Sequence, residues 1–413
     1  MTIRFRRLIF YSLFIIFIPL SAGIILYSQG WRFDFKTFSA QKTGAIYIET
    51  KPKNVVIEIN GKYSPDRSGI IQSGTLISDL LPKIYRLAVK KTGYFPYYKN
   101  LEVKPSMVSE LIDTILIPEK FKETEITPNR LKGDEISAWD ADNKKIIVKN
   151  SKNDVYYFYE LNNLSSVFNI SASLNNLSKK FAAKKISFYR LDSNKLIVES
   201  DKNELYIFDI NKLKLEPLFL NSSDGRLLSW DVKNQNIYFI KNKTLSSFNL
   251  AAKTETELVE MPVKNKKTVK IIEIKSSSSG ENISILDDFD DLYIFNVKTR
   301  NLKQIAHNAE TFAFSPDDKK IAFSDRDGKL NIYFMEDYLK NISKKSGDEI
   351  NFNLSNKELI KNIYWHNDSY HLFIEYGNGK NKKINFMEID DRLPLNIYPI
   401  VEKIKYFYYG VET

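Results

Sequence analysis

The chain has no cysteine, which excludes disulfides, thiolate nucleophiles, cysteine metal sites and a lipid-modified cysteine anchor. Histidine occurs three times, at His307, His366 and His371, leaving few general bases of the usual kind and few zinc ligands. His366 and His371 stand five apart on either side of a hairpin turn with no third ligand in view, a pattern of solvent-exposed turn histidines rather than of a metal pair. The sequence also lacks a glycine-rich phosphate loop, a nucleophile elbow, a paired-carboxylate motif and a metal-spaced histidine cluster. A basic arm is absent too. The net charge of +10 comes from 61 Lys and Arg against 51 Asp and Glu, but lysines are scattered among acids, as on a solvated surface, and no nucleic-acid partner is expected. No catalytic or metal residue and no cofactor is implied.

What is present describes a folded protein. The 413 residues are 43% hydrophobic and 27% charged, with room for two or three domains and a substantial core. The 24 Tyr and 27 Phe favour strands over helices. Residues 8–27, LIFYSLFIIFIPLSAGIILY, are uncharged and long enough for a helix to cross about 30 Å of hydrocarbon. Arg4, Arg6 and Arg7 precede the run, so the positive-inside rule leaves residues 1–7 as a cytoplasmic stub and places the bulk of the chain outside the cytoplasm. Tyr11, Tyr27 and Trp31 suit the interfacial aromatic belt, and Pro19 is tolerable in a membrane helix. The rival is a cleaved signal peptide cut near Ser21, Ala22 and Gly23. Against it, the apolar run continues through IILY and exceeds the roughly 7–15 residues of a signal core.

After a linker at 28–42, residues 43–118 form short alternating strands: GAIYIETKP, NVVIEINGK, KIYRLAVKKTGY, KNLEVKP and SELIDTILIP. Pro52, Asn60-Gly61, Pro82, Gly93 and Pro105 punctuate them. Val55, Ile57 and Ile59 fall on one face and Val56 and Glu58 on the other, as a small β-sandwich requires. This segment resembles the PEGA domain family of small extracytoplasmic β-modules, through TGAIYIETKPKNVVIEINGK, LPKIYRLAVKKTGY and LIDTILIP. It departs from that family where the naming tetrapeptide is Pro52-Lys53-Asn54-Val55 and where Lys83 replaces a glycine. The resemblance implies a binding or spacer module and carries no catalytic motif.

The remainder, 119–413, is periodic. The segments SAWDADNKKIIV, SFYRLDSNKLIV, LSWDVKNQNIYF, AFSPDDKKIAF and IYWHNDSYHLFI align on Trp139, Tyr189, Trp230, Phe314 and Trp365. In each, an apolar strand begins seven residues later, at Ile146, Leu196, Ile237, Ile321 and Leu372. A sixth copy lies around Ile274 with a longer serine-rich turn. Third strands start at Val155, Leu205, Leu245, Leu292, Leu330 and Ile384. Six units of this length predict a β-propeller, with seven blades as the alternative. LNIYPI suits the outer strand of the last unit, IKYFYYGVET a surplus strand, and FKETEI at 121–126 a closing strand. AFSPDDKKIAFSDRDGKLNIY is similar to the repeat of TolB-type and WD-like propellers, most closely at Ser315-Pro316-Asp317-Asp318. That resemblance implies architecture and no particular function.

Asp325, Asp327, Gly328 and Glu336 suggest a calcium loop, but counting from Asp325 puts Gly at position 4 and Lys329 at 5, against the Gly at 6 that an EF-hand needs. Asp325, Asp327 and Gly328 are turn residues; Asp287, Asp288, Asp290 and Asp291 read as a hairpin turn, with some cation affinity as the lesser alternative. Trp139, Trp230 and Trp365 share one repeat position and suit blade packing more than sugar stacking. The expected whole is all-β after one transmembrane helix: an envelope binding or scaffold protein presenting a propeller to an unidentified protein or glycan. The rival from another class is a propeller enzyme acting on envelope glycans, its carboxylates contributed by several blades. A cytoplasmic basic scaffold for nucleic acid requires reversed topology.

Overall fold

The computed structural model describes residues 3–35, 37–68, 73–121, 131–140, 143–178, 181–189, 192–202, 204–218, 229–231, 235–241, 243–264, 267–354, 359–377 and 381–404. The chain is mostly β after a single long helix, Ile3–Ser28, which contains Pro19 and buries none of its side chains. It divides into two compact units. The first comprises 1–122, 338–344 and 390–398; the second comprises 123–337, 345–389 and 399–413.

In the first unit, two sheets share one core. Gly44–Lys51 lies between Thr75–Leu80 and Val108–Ile115, parallel to the latter. The other sheet runs Lys62–Ser64, Val56–Ile59, Lys83–Lys90 and Tyr97–Val103. Ile46, Ile48 and Leu111 from one sheet meet Ile57, Ile59, Leu87, Val89 and Leu101 from the other. Alternation places Ile57 inside and leaves Val56 43% exposed. Asn60 and Gly61 turn this hairpin with positive φ of 49° and 77°, the backbone a two-residue type I′ loop demands.

Two segments distant in sequence complete this unit. Asn341 grips the backbone of Ile112, accepting from its N–H and donating to its carbonyl. Asn396 does the same to Tyr98. Lys99 and Asp390 are both fully buried, with Lys99 Nζ 4.0 Å from Asp390 Oδ1 and donating to the Arg392 carbonyl at 2.8 Å. Burial pushes the Asp390 carboxyl up, but the hydrogen bonds from Arg392 and the charge of Lys99 outweigh it and hold the group below the usual carboxylate range.

The second unit repeats one pattern. Its first sheet runs Glu135–Asp140, Lys145–Asn150, Val155–Glu160 and Asn163–Asn169, in chain order. Five more four-stranded sheets follow among the described residues, within 183–218, 229–260, 271–306, 309–352 and 360–404. The repeat spacing has a direct geometric cause: Trp139 pairs with Ile146, Trp230 with Ile237, Phe314 with Ile321 and Trp365 with Leu372 across antiparallel hairpins. Second strands begin one residue before the apolar run, at Lys145, Lys195, Asn236, Asn282, Lys320 and His371.

Successive sheets pack face to face. Ile147 and Phe158 of the first meet Ile186 and Leu196 of the second; Ile197 meets Ile237 of the third; Tyr238 and Leu245 meet Ile274 and Ile285 of the fourth; Leu292 meets Phe312 and Ile321 of the fifth. Trp365 Nε1 in the sixth donates to the Ala313 carbonyl in the fifth at 2.9 Å. This is a propeller-like arrangement. One short helix, Ile170–Leu177, interrupts the strand pattern; Asn169 Oδ1 caps it by accepting from the Ala172 N–H, and Ile170 and Leu174 enter the core. Ile397–Ile404 is the outer strand of the sixth sheet, where LNIYPI was expected. Residues 122–126 and 405–413, expected to bear on closure, lie outside the described residues.

Replacing Asp390 with Asn removes the carboxylate beside a fully buried Lys99 and is expected to destabilise the full-length protein by about 3–5 kcal/mol. Urea denaturation measures this; a loss under about 1 kcal/mol would assign the pair no structural weight.

Candidate functional site

The inner hairpin turns concentrate the polar chemistry of the repeat. In the fifth sheet Lys320 is wholly buried, and its Nζ lies 2.7 Å from Asp317 Oδ2, three residues earlier. Asp317 also accepts from Ser315 Oγ at 2.6 Å. Burial raises its carboxyl, and the bonds from Lys320 and Ser315 bring it below the ordinary value. Asp192 and Lys195 form the corresponding pair in the second sheet, at 3.4 Å.

In the sixth sheet the same positions hold Asp368 and His371, and here the expectation of solvent-exposed turn histidines fails. His371 is buried and His366 is partly covered, their side chains 3% and 27% exposed. Asp368 is a third potential ligand: its Oδ2 lies 2.9 Å from His366 Nδ1 and 2.7 Å from His371 Nδ1. Its Oδ1 accepts from the N–H groups of Tyr370 and His371. Phe386 provides the cover: it stacks on the His371 ring at 4.9 Å and meets His366 edge-on at 6.0 Å. Cross-strand packing, which the turn sequence does not display, decides their exposure. Burial raises the Asp368 carboxyl; the two imidazoles reverse this and lower it well below the carboxylate range.

The acidic loops are hydrogen-bonded turns. Asp325 Oδ1 accepts from the Lys329 N–H, Gly328 has a positive φ of 81°, and Glu336 pairs with Lys319. Asp287 is buried; its Oδ1 caps the N–H groups of Phe289 and Asp291, while Tyr293 Oη donates to Oδ2 at 3.3 Å. Burial holds the Asp287 carboxyl up, and burial together with Asp287 pushes the Tyr293 phenol to about 12. Asp288 accepts from the Lys270 N–H, Asp290 pairs with Arg326 at 2.6 Å, and Asp291 faces His307 and Lys264. These four acids thus serve different local partners. Trp365 is buried in blade packing; Trp139 is partly buried; the Trp230 side chain lies outside the described residues.

A cleft of about 440 Å³ opens over the fifth sheet. Asp325, Asn331, Glu349 and Asn351 supply carboxylates and amides, Lys329 a cation, and Phe323 and Ile305 an apolar floor. Glu349 and Asn351 share the exposed strand face at spacing two, and although Glu349 is accessible, partial desolvation by its surroundings raises its carboxyl. Sequence reasoning missed this cleft. Its one local signal is the alternation in EINFN, where polar positions 349, 351 and 353 oppose buried Ile350 and Phe352.

A family profile described as the NUP159/214 beta propeller matches residues 231–406, under half of the chain. No curated protein matches. Among solved structures, the chain is 10% identical to the Cps50 (Swd1) beta-propeller domain of Myceliophteria thermophila, covering 66% of this chain and 89% of that one, with a TM-score of 0.44. It is also 10% identical to Kluyvelomyces marxianus Hsv2, covering 78% and 95%, TM-score 0.43. PorZ of Porphyromonas gingivalis, an essential bacterial surface component of the type-IX secretion system, is 10% identical over 76% of this chain and 37% of that one, TM-score 0.42. Likeness at this level carries no functional argument. The propeller-like fold rests on the repeated sheets and the profile match.

Asp317→Asn removes the carboxylate facing buried Lys320 and is expected to cost about 3–5 kcal/mol at neutral pH. Because the native Asp317 carboxyl is depressed, its contribution is present above about pH 4 and is lost as pH falls through the native value. Denaturation midpoints of wild type and variant should therefore converge below about pH 4; a gap constant from neutral to acid pH would contradict the ion-pair origin.

Proposed function

We propose that this chain is a single-pass, membrane-anchored, non-enzymatic binding or scaffold protein of the cell envelope, with a short cytoplasmic N-terminus and an extracytoplasmic six-bladed propeller. The carrying observation is the helix Ile3–Ser28: it is long and apolar enough to cross a membrane, and none of its residues is buried by protein. A soluble environment would leave that entire apolar surface in water.

The segment after the helix supports the same reading. Trp31–Asp34 and Ser39–Lys42 form a two-stranded hairpin, with Phe33, Phe35 and Phe38 47%, 78% and 80% exposed. Their rings cluster at centroid distances of 5.1 and 6.2 Å. Arg32 ties the hairpin to the helix end, its guanidinium lying 3.5 Å from the centre of the Tyr27 ring and donating to the Tyr27 carbonyl. Exposed aromatics beside the end of an apolar helix suit the interfacial zone of a bilayer. Arg4, Arg6 and Arg7 before the apolar run favour a cytoplasmic start.

In this reading the PEGA-like unit is the spacer nearest the membrane and the propeller presents its surface to a protein or glycan. The cleft formed by Asn331, Glu349 and Asn351 offers amide and carboxylate contacts over an apolar floor, a combination that suits a polar ligand. No nucleic-acid partner is part of the proposal.

Absence of native cysteine permits a direct test of topology. Single cysteines at Thr2 and Lys120 are expected to react with a membrane-impermeant thiol reagent on intact cells only at 120; labelling at 2 alone would overturn the orientation. Partner capture by the full-length protein from envelope glycans and membrane proteins is expected to fall about tenfold in an Asn331→Ala/Asn351→Ala variant, equivalent to about 1.4 kcal/mol for two polar contacts. Unchanged capture would place the partner elsewhere on the surface.

A further inference from the structure

We infer that His366, Asp368 and His371 form a binding site for a zinc-class divalent cation. One ligand atom from each of the three residues lies within 4.8 Å of the other two, and Asp368 Oδ2 stands 2.9 Å from His366 Nδ1 and 2.7 Å from His371 Nδ1. Two nitrogens and one carboxylate oxygen are a donor set that zinc and its first-row neighbours accept, with a fourth position open to water.

The repeat itself argues that this cluster is specific to one blade. The first residue of the second strand is Lys or Asn in the other five sheets and His371 here. In the second and fifth sheets that residue is the cation paired to an aspartate three positions earlier. A lysine ammonium carries only N–H donors, whereas an imidazole has a ring nitrogen that can present a lone pair to a metal. Exchanging Lys for His therefore adds a metal-binding lone pair at this position. The same turn has a second departure: His366 occupies the position held by Ser315 in the fifth sheet. Two of the three histidines in the chain thus converge on one carboxylate oxygen.

The surroundings suit a held ion. The Tyr370 and His371 N–H groups orient Asp368 through Oδ1, leaving Oδ2 for the cation, the kind of outer support that metal carboxylates use. Phe386 packs on both imidazoles and limits their rotation. Side-chain exposure rises from 3% at His371 through 16% at Asp368 to 27% at His366, which gives the ion a route from solvent on the His366 side. Nδ1-to-Oδ2 separations of 2.7 and 2.9 Å are hydrogen-bond lengths. Tetrahedral ligands at about 2.0–2.1 Å from zinc stand roughly 3.3 Å apart, so binding requires the three groups to open by a few tenths of an ångström.

The test uses the full-length protein in detergent, stripped with chelator and titrated with Zn²⁺ against a chromophoric competitor, and separately with Co²⁺ followed by visible absorption. Wild type is expected to bind one equivalent and give a tetrahedral Co²⁺ spectrum. His371→Lys recreates the pair seen at Asp317 and Lys320, and His366→Ser recreates Ser315; both are expected to fold, as circular dichroism reports, and to bind Zn²⁺ at least about 10–100-fold more weakly, the loss that removing even an outer-sphere partner brings. Absence of a stoichiometric site in wild type, or equal affinity in wild type and the two variants, would overturn the assignment. Either result is independent of membrane topology and partner capture.

Discussion

Each sheet of the repeating unit has a second strand covered on both faces. Ile146, Ile147 and Val148 are all buried, as are Ile237 through Ile240 and Ile321 through Phe323. A strand with consecutive buried residues needs apolar neighbours above and below, unlike one whose side chains alternate between core and water. The sheets satisfy this by stacking in succession, so that Ile147 belongs to the interface with the second sheet and Ile197 to that with the third. Much of the rest follows: first strands supply the facing aromatics, and outer strands such as Asn163–Asn169 and Thr254–Glu260 carry mostly exposed or partly exposed residues.

Such burial leaves the strand starts as the place where polarity must be resolved. Lys320 and His371 sit at equivalent starts, both buried, and each meets an aspartate three residues earlier. One position in the repeat thus hosts different chemistry while the backbone task stays constant. The cleft is bordered by both kinds of residue: Asn331 is itself buried, whereas Glu349 and Asn351 lie on the exposed face of a strand whose alternate residue, Ile350, is buried.

What was legible in the sequence is local. At Trp139, Trp230, Phe314 and Trp365 the anchor and the residue seven positions on are direct partners across a hairpin, so these anchors marked both register and period, whereas in the second sheet Leu196 pairs with Phe188 rather than with the expected Tyr189. The apolar helix was legible for the same reason. Non-local features were not. The cleft joins Asn331 to Glu349 and Asn351 across a chain excursion, and no linear motif spans it. His366 and His371 looked exposed because their cover, Phe386, belongs to the next strand. Asn341 and Asn396 gave no sign that they bind the backbone of Ile112 and Tyr98, since an asparagine in a polar loop has the same local context with or without such a partner.

Asp390 stands 291 residues after Lys99, and this separation sets an order of assembly. A ribosome adding about 5–20 residues per second takes roughly 15–60 s to cover that length. During this interval the lysine emerges without the carboxylate it later meets, and the strand Tyr97–Val103 lacks the backbone partners contributed by Leu393 and Asn396. The unit that is synthesised first is therefore among the last to be completed, and its final packing waits on nearly the whole chain.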